Sequence, residues 1–327
     1  MRLIGPAVIL VLNVILAPHA ADAQQTGKVY RIGILETIAA SRNATNIDAF
    51  RQGLKELGYV EGQNLAIEYR SADGRAERFA DLAAELLWLQ VDLIVTRGTP
   101  AALAAKKATK TVPIVMAASG DPLGSGIVAS LARPGGNITG LSSIVADLGP
   151  KRLELLKEAL QTVSRVGVVA NMSNPAIEAE WRQIQAAARL LGIDTELLDI
   201  RTEVDIESAF EKVRRRRADA LIVTLDALTQ TNRERIATLS AKHRLPAVYA
   251  SREFMEVGGL LAYGVSYPHL YRRAATFVDR IFKGTKPGEL PVEQPTRFDL
   301  VINLKTAKAL GLTIPQTVLL QADQVIE

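Results

Sequence analysis

The sequence predicts an α/β protein built from two Rossmann-like lobes with parallel sheets, joined by a hinge that the chain crosses more than once. Short apolar, β-branched runs alternate with helical patterns of about ten to fifteen residues, which is typical of βαβ units. The alternation occurs twice along the chain. A chain of 327 residues is also long enough for two domains.

The predicted elements follow the order β-α-β-α-β-α-β in each half. Short runs rich in Val, Ile and Leu predict strands at residues 29–35, 65–69, 92–96, 113–117, 138–141, 165–170, 195–200, 220–224, 247–250 and 260–263. Longer patterns between them predict helices at residues 46–57, 75–89, 100–108, 175–191, 230–243 and 267–282. A further short helix is expected before Arg133 and Pro134, which would end it.

The two halves also resemble each other in detail. The first strand reads RIGIL in one half and RVGVV in the other. The spacing from the glycine of that strand to the Leu-Gly pair after the next helix is 25 residues in both, from Gly33 to Gly58 and from Gly167 to Gly192. A duplication would explain this match, and so would the general likeness of Rossmann-like halves. Two similar lobes are expected in either case.

The lobes are expected to be discontinuous in sequence. Residues 24–141 and about 267–290 form the predicted N-terminal lobe, and residues 142–266 and about 291–327 form the predicted C-terminal lobe. The chain is expected to cross between them at residues 142–149 and again at residues 264–266.

Residues 1–23 have the pattern of a cleavable signal peptide. A mainly apolar run from Leu3 to Ala17 is followed by small residues that end at Ala23. The run is shorter than the ~20 residues that a membrane-spanning helix needs. The sequence contains no Cys, so it has no lipid-anchored N-terminal Cys and no disulfide framework. We therefore expect a protein that is exported to the periplasm and is not membrane-anchored.

The charge pattern argues against a role in binding nucleic acid. The net charge is +4 and is spread along the chain. The densest basic cluster, at residues 214–217, follows a helical pattern and precedes an apolar strand. Cations are favourable in the last turn of a helix, so this cluster is interpreted as a solvated helix end.

Candidate binding residues follow from the position of the strand ends. In parallel α/β sheets, ligands bind beyond the carboxyl ends of the strands, so the residues directly after each predicted strand are the candidates for a ligand site. In the first half these are Thr37, Gly98, Thr99, Ser119, Gly120 and Asp121, and in the second half they are Asn171, Asn174, Asp226 and Ser251, with Tyr263 at the hinge.

Thr99 and Asn174 each precede a proline suited to the first position of a helix, so both are predicted N-caps. The two helix N-termini would then point their free N–H groups towards the cleft, an arrangement that suits a carboxylate, which would lie at the backbone amides of Thr99 and Ser119. Both residues would cap their helices with or without a ligand. Asp226 is interpreted either as a partner for a ligand ammonium or hydroxyl group, or as a helix-capping or turn residue.

The chemistry of a cofactor, a metal or an enzyme finds little support. Residues 124–129 fit the dinucleotide pattern G-x-G-x-x-A, but they lie in the fourth βα unit of their lobe and not in the first. After the predicted signal peptide the only histidines are His243 and His269, and the sequence has no G-x-S-x-G or H-E-x-x-H motif. The sequence therefore predicts no cofactor, no metal and no enzymatic activity.

Three stretches of the chain resemble one known family. Residues 98–102, residues 120–140 with their Gly-Asp-Pro and Gly-Gly-Asn-Ile-Thr-Gly motifs, and residues 298–311 are similar to ABC transporter substrate-binding proteins of the tryptophan/tyrosine-binding type. The resemblance covers nearly all of the chain after the predicted signal peptide. It implies a type I periplasmic-binding-protein fold, a clamshell that closes on its solute. It departs at Ser251, where many members have Trp.

The resemblance also implies a function and partners. The cleft segments of the family correspond to Gly98, Thr99, Ser119, Gly120, Asp121, Asn174, Asp226 and Tyr263. The expected function is the periplasmic solute-binding component of an ABC-type importer, a monomer that binds a small solute such as an amino acid and presents it to a permease in the inner membrane. A sensory ligand-binding protein and an exported enzyme that uses the same cleft are the alternatives.

Overall fold

The computed structural model describes residues 28–160 and 162–327. The predicted signal peptide at residues 1–23 lies outside these residues. In the part of the chain that the structure describes, no helix combines the length and the apolar character needed to cross a membrane.

The first lobe is a five-stranded parallel sheet with the strand order β2-β1-β3-β4-β5. Its inner strands are buried along almost their whole length, as expected for a parallel sheet covered on both faces. The elements are β1 (Tyr30–Glu36), α1 (Ala44–Glu56), β2 (Leu65–Ser71), α2 (Phe79–Trp88), β3 (Leu93–Arg97), α3 (Thr99–Ala108), β4 (Ile114–Ser119) and β5 (Ile138–Ser142).

The second lobe begins after two connecting residues and contains a second sheet. The elements are α4 (Val145–Leu160), β6 (Arg165–Ala170), α5 (Pro175–Leu191), β7 (Asp194–Asp199), α6 (Asp205–Arg215), β8 (Ala220–Val223), α7 (Ala227–Thr231), α8 (Arg233–Lys242), β9 (Ala247–Tyr249) and β10 (Leu261–Val265). The basic cluster at residues 214–217 lies at the C-terminal end of α6, as predicted.

The chain then returns to the first lobe and back again. Helix α9 (Tyr267–Phe282) packs on α1 so closely that a Cβ added at Gly53 would lie 2.9 Å from the Cβ of Ala275. The tail adds β11 (Phe298–Asn303), α10 (Leu304–Leu310), α11 (Gln316–Leu319) and β12 (Gln324–Ile326) to the second lobe, whose strand order is β12-β11-β10-β9-β8-β6-β7.

One strand pair departs from the predicted parallel arrangement. Strand β11 runs antiparallel to β10, with Phe298 opposite Val265. The chain leaves the second sheet at the end of β10, forms α9 on the other lobe and returns at the same end of the sheet. The returning strand must therefore run in the opposite direction.

Two predicted elements differ for local reasons. The short helix expected before Arg133 is absent, and turns occupy that segment. There the backbone N–H of Gly124 donates to the side chain of Asp121 and Gly126 has a φ of 71°, both of which favour a turn over a helix. The predicted helix at residues 230–243 corresponds to α8 at residues 233–242, and it is preceded by a separate short helix, α7, which Asp226 begins with a capping box.

A buried ion pair connects three elements of the second lobe. Arg152 of α4 and Glu180 of α5 have side chains that are 1% and 0% exposed, and the Arg152 Nη1 donates to the Glu180 carboxylate. The Arg152 Nε also donates to the carbonyl oxygen of Tyr263 in β10, at 2.8 Å. Burial raises the pKa of Glu180 to about 7, against the opposing effect of Arg152.

We expect Arg152→Met to lower the free energy of unfolding by about 3–5 kcal/mol, because Glu180 then remains buried without its partner. The double variant Arg152→Met/Glu180→Met should recover most of this loss, since it removes both buried charges. Urea unfolding of the two variants and the wild type measures the difference. A double variant as unstable as the single one would show that the pair does not act through charge.

Candidate functional site

A small cavity lies between the two lobes, at the carboxyl ends of their strands. Its volume is about 40 Å³, which is room for about three water molecules. Residues from both lobes and from the connections between them line it: Thr37, Arg97, Gly98, Thr99, Pro100, Ala118, Gly120, Ser143, Val145, Asn174, Ala176, Ile177, Leu225, Asp226, Ala227, Gln230 and Tyr267.

On the first lobe, the cavity wall differs from the prediction at Thr99. Thr99 does not cap α3, because Gly98 occupies the N-cap position with a φ of 85°, which glycine adopts readily. The Thr99 Oγ1 instead accepts a hydrogen bond from the Gly120 backbone N–H at 3.1 Å and lies 3.3 Å from the Ser119 Oγ. Thr99 therefore joins the ends of β3 and β4.

On the second lobe, Asn174 and Asp226 form one polar cluster. Asn174 caps α5, as predicted, by accepting a hydrogen bond from the Ala176 N–H at 3.2 Å, and its Nδ2 donates to the Asp226 Oδ2 at 3.1 Å. The Asp226 Oδ1 accepts from the Leu228 N–H at 2.8 Å and from the Asn171 Nδ2 at 3.0 Å. Asp226 is therefore a helix cap whose position is also fixed from a neighbouring strand end.

Five of the predicted site residues do not line this cavity. Ser119 and Asn171 instead contact residues that do line it: the Ser119 Oγ lies 3.3 Å from the Thr99 Oγ1, and the Asn171 Nδ2 donates to the Asp226 Oδ1. Asp121 lines a separate depression on the outer side of β5. Ser251 is buried elsewhere in the second lobe, and Tyr263 is in the hinge, where its carbonyl accepts the Arg152 bond. The six that do line it are Thr37, Gly98, Thr99, Gly120, Asn174 and Asp226.

Arg97 directly follows the predicted strand at residues 92–96 but is not among the eleven predicted site residues, and in the structure it is the last residue of β3. Its side chain is 4% exposed and lies 3.6 Å from the Glu253 carboxylate of the second lobe. The Nη1 donates to the Asn43 Oδ1 at 3.1 Å, and the guanidinium lies 4.3 Å from the centre of the Tyr267 ring. Burial opposes the charge of Arg97, but Glu36 and Glu253 outweigh it, so the pKa of Arg97 is raised.

Gln230 is a second residue that the sequence analysis missed. It lies in α7, is 1% exposed and lines the cavity. Neither its amide nitrogen nor its amide oxygen has a hydrogen-bond partner among the described residues. A buried amide without partners is costly, so this side chain offers a ligand both a donor and an acceptor.

The two lobes are in direct contact at the cavity. A Cβ added at Gly120 would lie 2.6 Å from the Cβ of Ala176 and 2.9 Å from a methyl of Val145. At the side of the cleft, the Arg42 Nη1 donates to the Thr231 carbonyl at 2.6 Å. The structure therefore represents a conformation in which the cleft is closed.

Within residues 28–160 and 162–327, no group of three or more His, Cys, Asp or Glu side chains is arranged to hold a metal ion.

Comparisons with known proteins agree with the geometry of the cleft. A model of the family described as "ABC transporter substrate binding protein" matches residues 31–326. A tyrosine-binding protein of Clostridioides difficile is 27% identical over 263 residues, which are 80% of this chain and 75% of that protein.

Two solved structures are also similar. An ABC domain in complex with L-Trp from Streptococcus pneumonia is 29% identical, covers 90% of this chain and 100% of its own, and has a TM-score of 0.82. A ligand-free, open substrate-binding protein with adhesive properties from Clostridium difficile is 25% identical, covers 91% and 99%, and has a TM-score of 0.65. The higher score with the ligand-bound structure agrees with a closed cleft.

We expect Gly120→Ala to hold the lobes apart, because the added methyl overlaps Ala176 across the cleft. The radius of gyration measured by small-angle X-ray scattering should increase. The free energy of unfolding should change by less than about 1 kcal/mol, since each lobe keeps its own core.

The double variant Gly120→Ala/Ala176→Gly is the control, since it removes the methyl that meets the new one. It should recover part of the compact form. An unchanged radius of gyration in Gly120→Ala would mean that this contact does not limit closure.

Proposed function

The chain belongs to the ABC transporter substrate-binding protein family, and from this premise we propose that its interlobe cleft binds a small zwitterionic solute, an amino acid, for an importer. The observation that carries the proposal is the charge distribution of one small cavity. The first lobe contributes the guanidinium of Arg97, and the second lobe contributes the carboxylate of Asp226. An amino acid carries the complementary charges, a carboxylate and an ammonium group, on groups bonded to the same carbon atom.

The proposed pose assigns each charge of the solute to one lobe. The carboxylate of the solute binds Arg97, whose Nη2 has no hydrogen-bond partner within the described part of the chain. The ammonium binds Asp226, whose carboxylate is already oriented by Asn171, Asn174 and the Leu228 N–H. Since the two groups lie on different lobes, the solute stabilises the closed state over the open one.

The side chain of the solute meets a mixed surface. Ile177, Leu225 and Val145 supply apolar contacts, and Gln230 supplies an unpartnered amide. The cavity of about 40 Å³ is too small for an amino acid side chain, so the lobes must separate slightly around the solute. The named relatives bind tyrosine and L-Trp, and aromatic amino acids are therefore the first solutes to test.

The proposal extends to location and partner. The leader pattern at residues 1–23 and the membership of the family support export to the periplasm. The closed protein then delivers its solute to a permease in the inner membrane and acts as a monomer. It binds its solute without turning it over.

We expect a thermal-shift screen of the common amino acids to identify a solute that raises the melting temperature. A solute at 100 times its dissociation constant adds about 2.7 kcal/mol of stability. The decarboxylated and deaminated analogues of that solute should each bind at least about tenfold more weakly, because each lacks one of the two charged contacts with the cleft. Equal binding of either analogue would contradict the assignment of that charge.

Asp226→Asn should weaken binding of the same solute by about 10- to 100-fold, since it removes the charge and keeps a residue that caps a helix well. Glu178→Gln, an exposed change on α5, is the matched control and should bind as the wild type does. Isothermal titration measures both. If Asp226→Asn bound normally while Glu178→Gln did too, the ammonium would have to lie elsewhere in the cleft.

A further inference from the structure

A second cavity of about 440 Å³ lies at the side of the cleft, apart from the one described above. It has walls from both lobes. The first lobe contributes the start of α1, and the second lobe contributes the start of α8 and the 3₁₀ helix Arg252–Val257. The lining residues are Ser41, Arg42, Asn43, Ala44, Thr45, Asn46, Arg233, Arg252, Glu253, Glu256 and Pro268.

The start of α1 presents free donors to this cavity. Asn43 is the N-cap residue but its side chain makes no capping bond, because its oxygen accepts from Asn46 and Arg97. Among the described residues no acceptor bonds the backbone N–H of Ala44 or of Thr45. The positive end of the helix dipole adds to these two donors, and the helix is 13 residues long.

Arg233 supplies the independent observation. Its side chain is 8% exposed, and its Nε and Nη1 are buried without a hydrogen-bond partner in the part of the chain that the structure describes. The Nη2 alone approaches a carboxylate, that of Glu256, at 3.8 Å. That carboxylate is 65% exposed, so water weakens its attraction for Arg233. A buried guanidinium with two unpartnered nitrogens calls for an acceptor.

The other charges of the cavity are engaged elsewhere. The Glu253 carboxylate lies 3.6 Å from Arg97, and Arg252 lies 3.5 Å from Asp299, neither of which lines the cavity. The other charged groups that line the cavity are the guanidinium groups of Arg42 and Arg233 and the exposed carboxylate of Glu256. The groups without a hydrogen-bond partner among the described residues also favour an anion. Four of them are donors, namely the Arg233 Nε and Nη1 and the backbone N–H groups of Ala44 and Thr45, and one is an acceptor, the Glu253 Oε2.

We infer that this cavity binds a small oxyanion, a carboxylate or phosphate group, between the start of α1 and Arg233. The anion is held by backbone N–H groups of the first lobe and by a guanidinium of the second. It therefore bridges the lobes, and its binding favours the closed conformation. The site is separate from Asp226 and from the solute cavity.

Inorganic phosphate is the probe, added to the full chain and compared with sodium chloride at equal ionic strength. We expect phosphate to raise the melting temperature of the wild type beyond the effect of chloride, and titration to give one site. In Arg233→Gln the dissociation constant should increase by about tenfold or more. The matched control is Arg235→Gln, on the same helix but outside the cavity, which should bind phosphate as the wild type does.

A second variant keeps the test decisive if Arg233→Gln folds poorly. Thr45 is exposed in the first turn of α1, so Thr45→Asp favours the helix and places a negative charge in the cavity. It should fold normally and lose phosphate binding. Phosphate binding that is equal in the wild type, Arg233→Gln and Thr45→Asp, or a wild type without a specific phosphate effect, would overturn the inference.

The cleft variant Asp226→Asn separates this inference from the proposed function. It should keep phosphate binding while it loses the solute. Failure to find an amino acid ligand would leave the phosphate result standing, and loss of phosphate binding in Asp226→Asn would show that the two sites are one.

Discussion

The burial of Arg97 between the lobes is the constraint on which the closed structure depends. A buried guanidinium is unfavourable unless its charge is compensated, and its partners here come from three places. Glu36 and Asn43 belong to the first lobe, Glu253 belongs to the second, and Tyr267 begins the helix that returns from one lobe to the other. Compensation is complete only when the lobes meet, so the cost of burying this charge is tied to closure.

The positions of the polar groups that line the cavity follow from the parallel strands, and this is why the sequence could predict much of the cleft. Carboxyl ends of parallel strands share one edge of a sheet, so the residues after β6 and β8 lie together in the second lobe, and the residues after β3 lie at the corresponding edge of the first-lobe sheet. Thr99, Asn174 and Asp226 were found in this way. The pattern does not distinguish the residues that line the cavity from those that contact them. Asn171 and Ser119 occupy equivalent positions after their strands, but their side chains contact Asp226 and Thr99.

Other features of the site depend on details that no periodicity contains. Arg97 directly follows the predicted strand at residues 92–96, but the structure makes it the last, buried residue of β3, where groups of both lobes compensate its charge. Gln230 lines the cavity from α7, a short helix at residues 227–231, whereas the sequence predicts a helix that begins at Gln230. A charged residue directly after the predicted strand at residues 92–96 was the signal that could have identified Arg97.

The hydrogen bond of Thr99 bears on the carboxylate site that the sequence predicts. A solute carboxylate is predicted at the backbone amides of Thr99 and Ser119, and the neighbouring amide, that of Gly120, already donates to Thr99. Among the described residues that line the cavity, Arg97 is the one with a cationic side chain. A solute carboxylate there would join Glu253 and Glu36 around one guanidinium, and like charges would repel. Burial is the largest influence on Glu36 and raises its pKa, against the opposing effects of Arg97 and of the hydrogen bonds from Thr37 and Asn43. In the proposed pose the solute carboxylate therefore binds at the Arg97 Nη2, which has no hydrogen-bond partner among the described residues, and does so against the repulsion of Glu36 and Glu253.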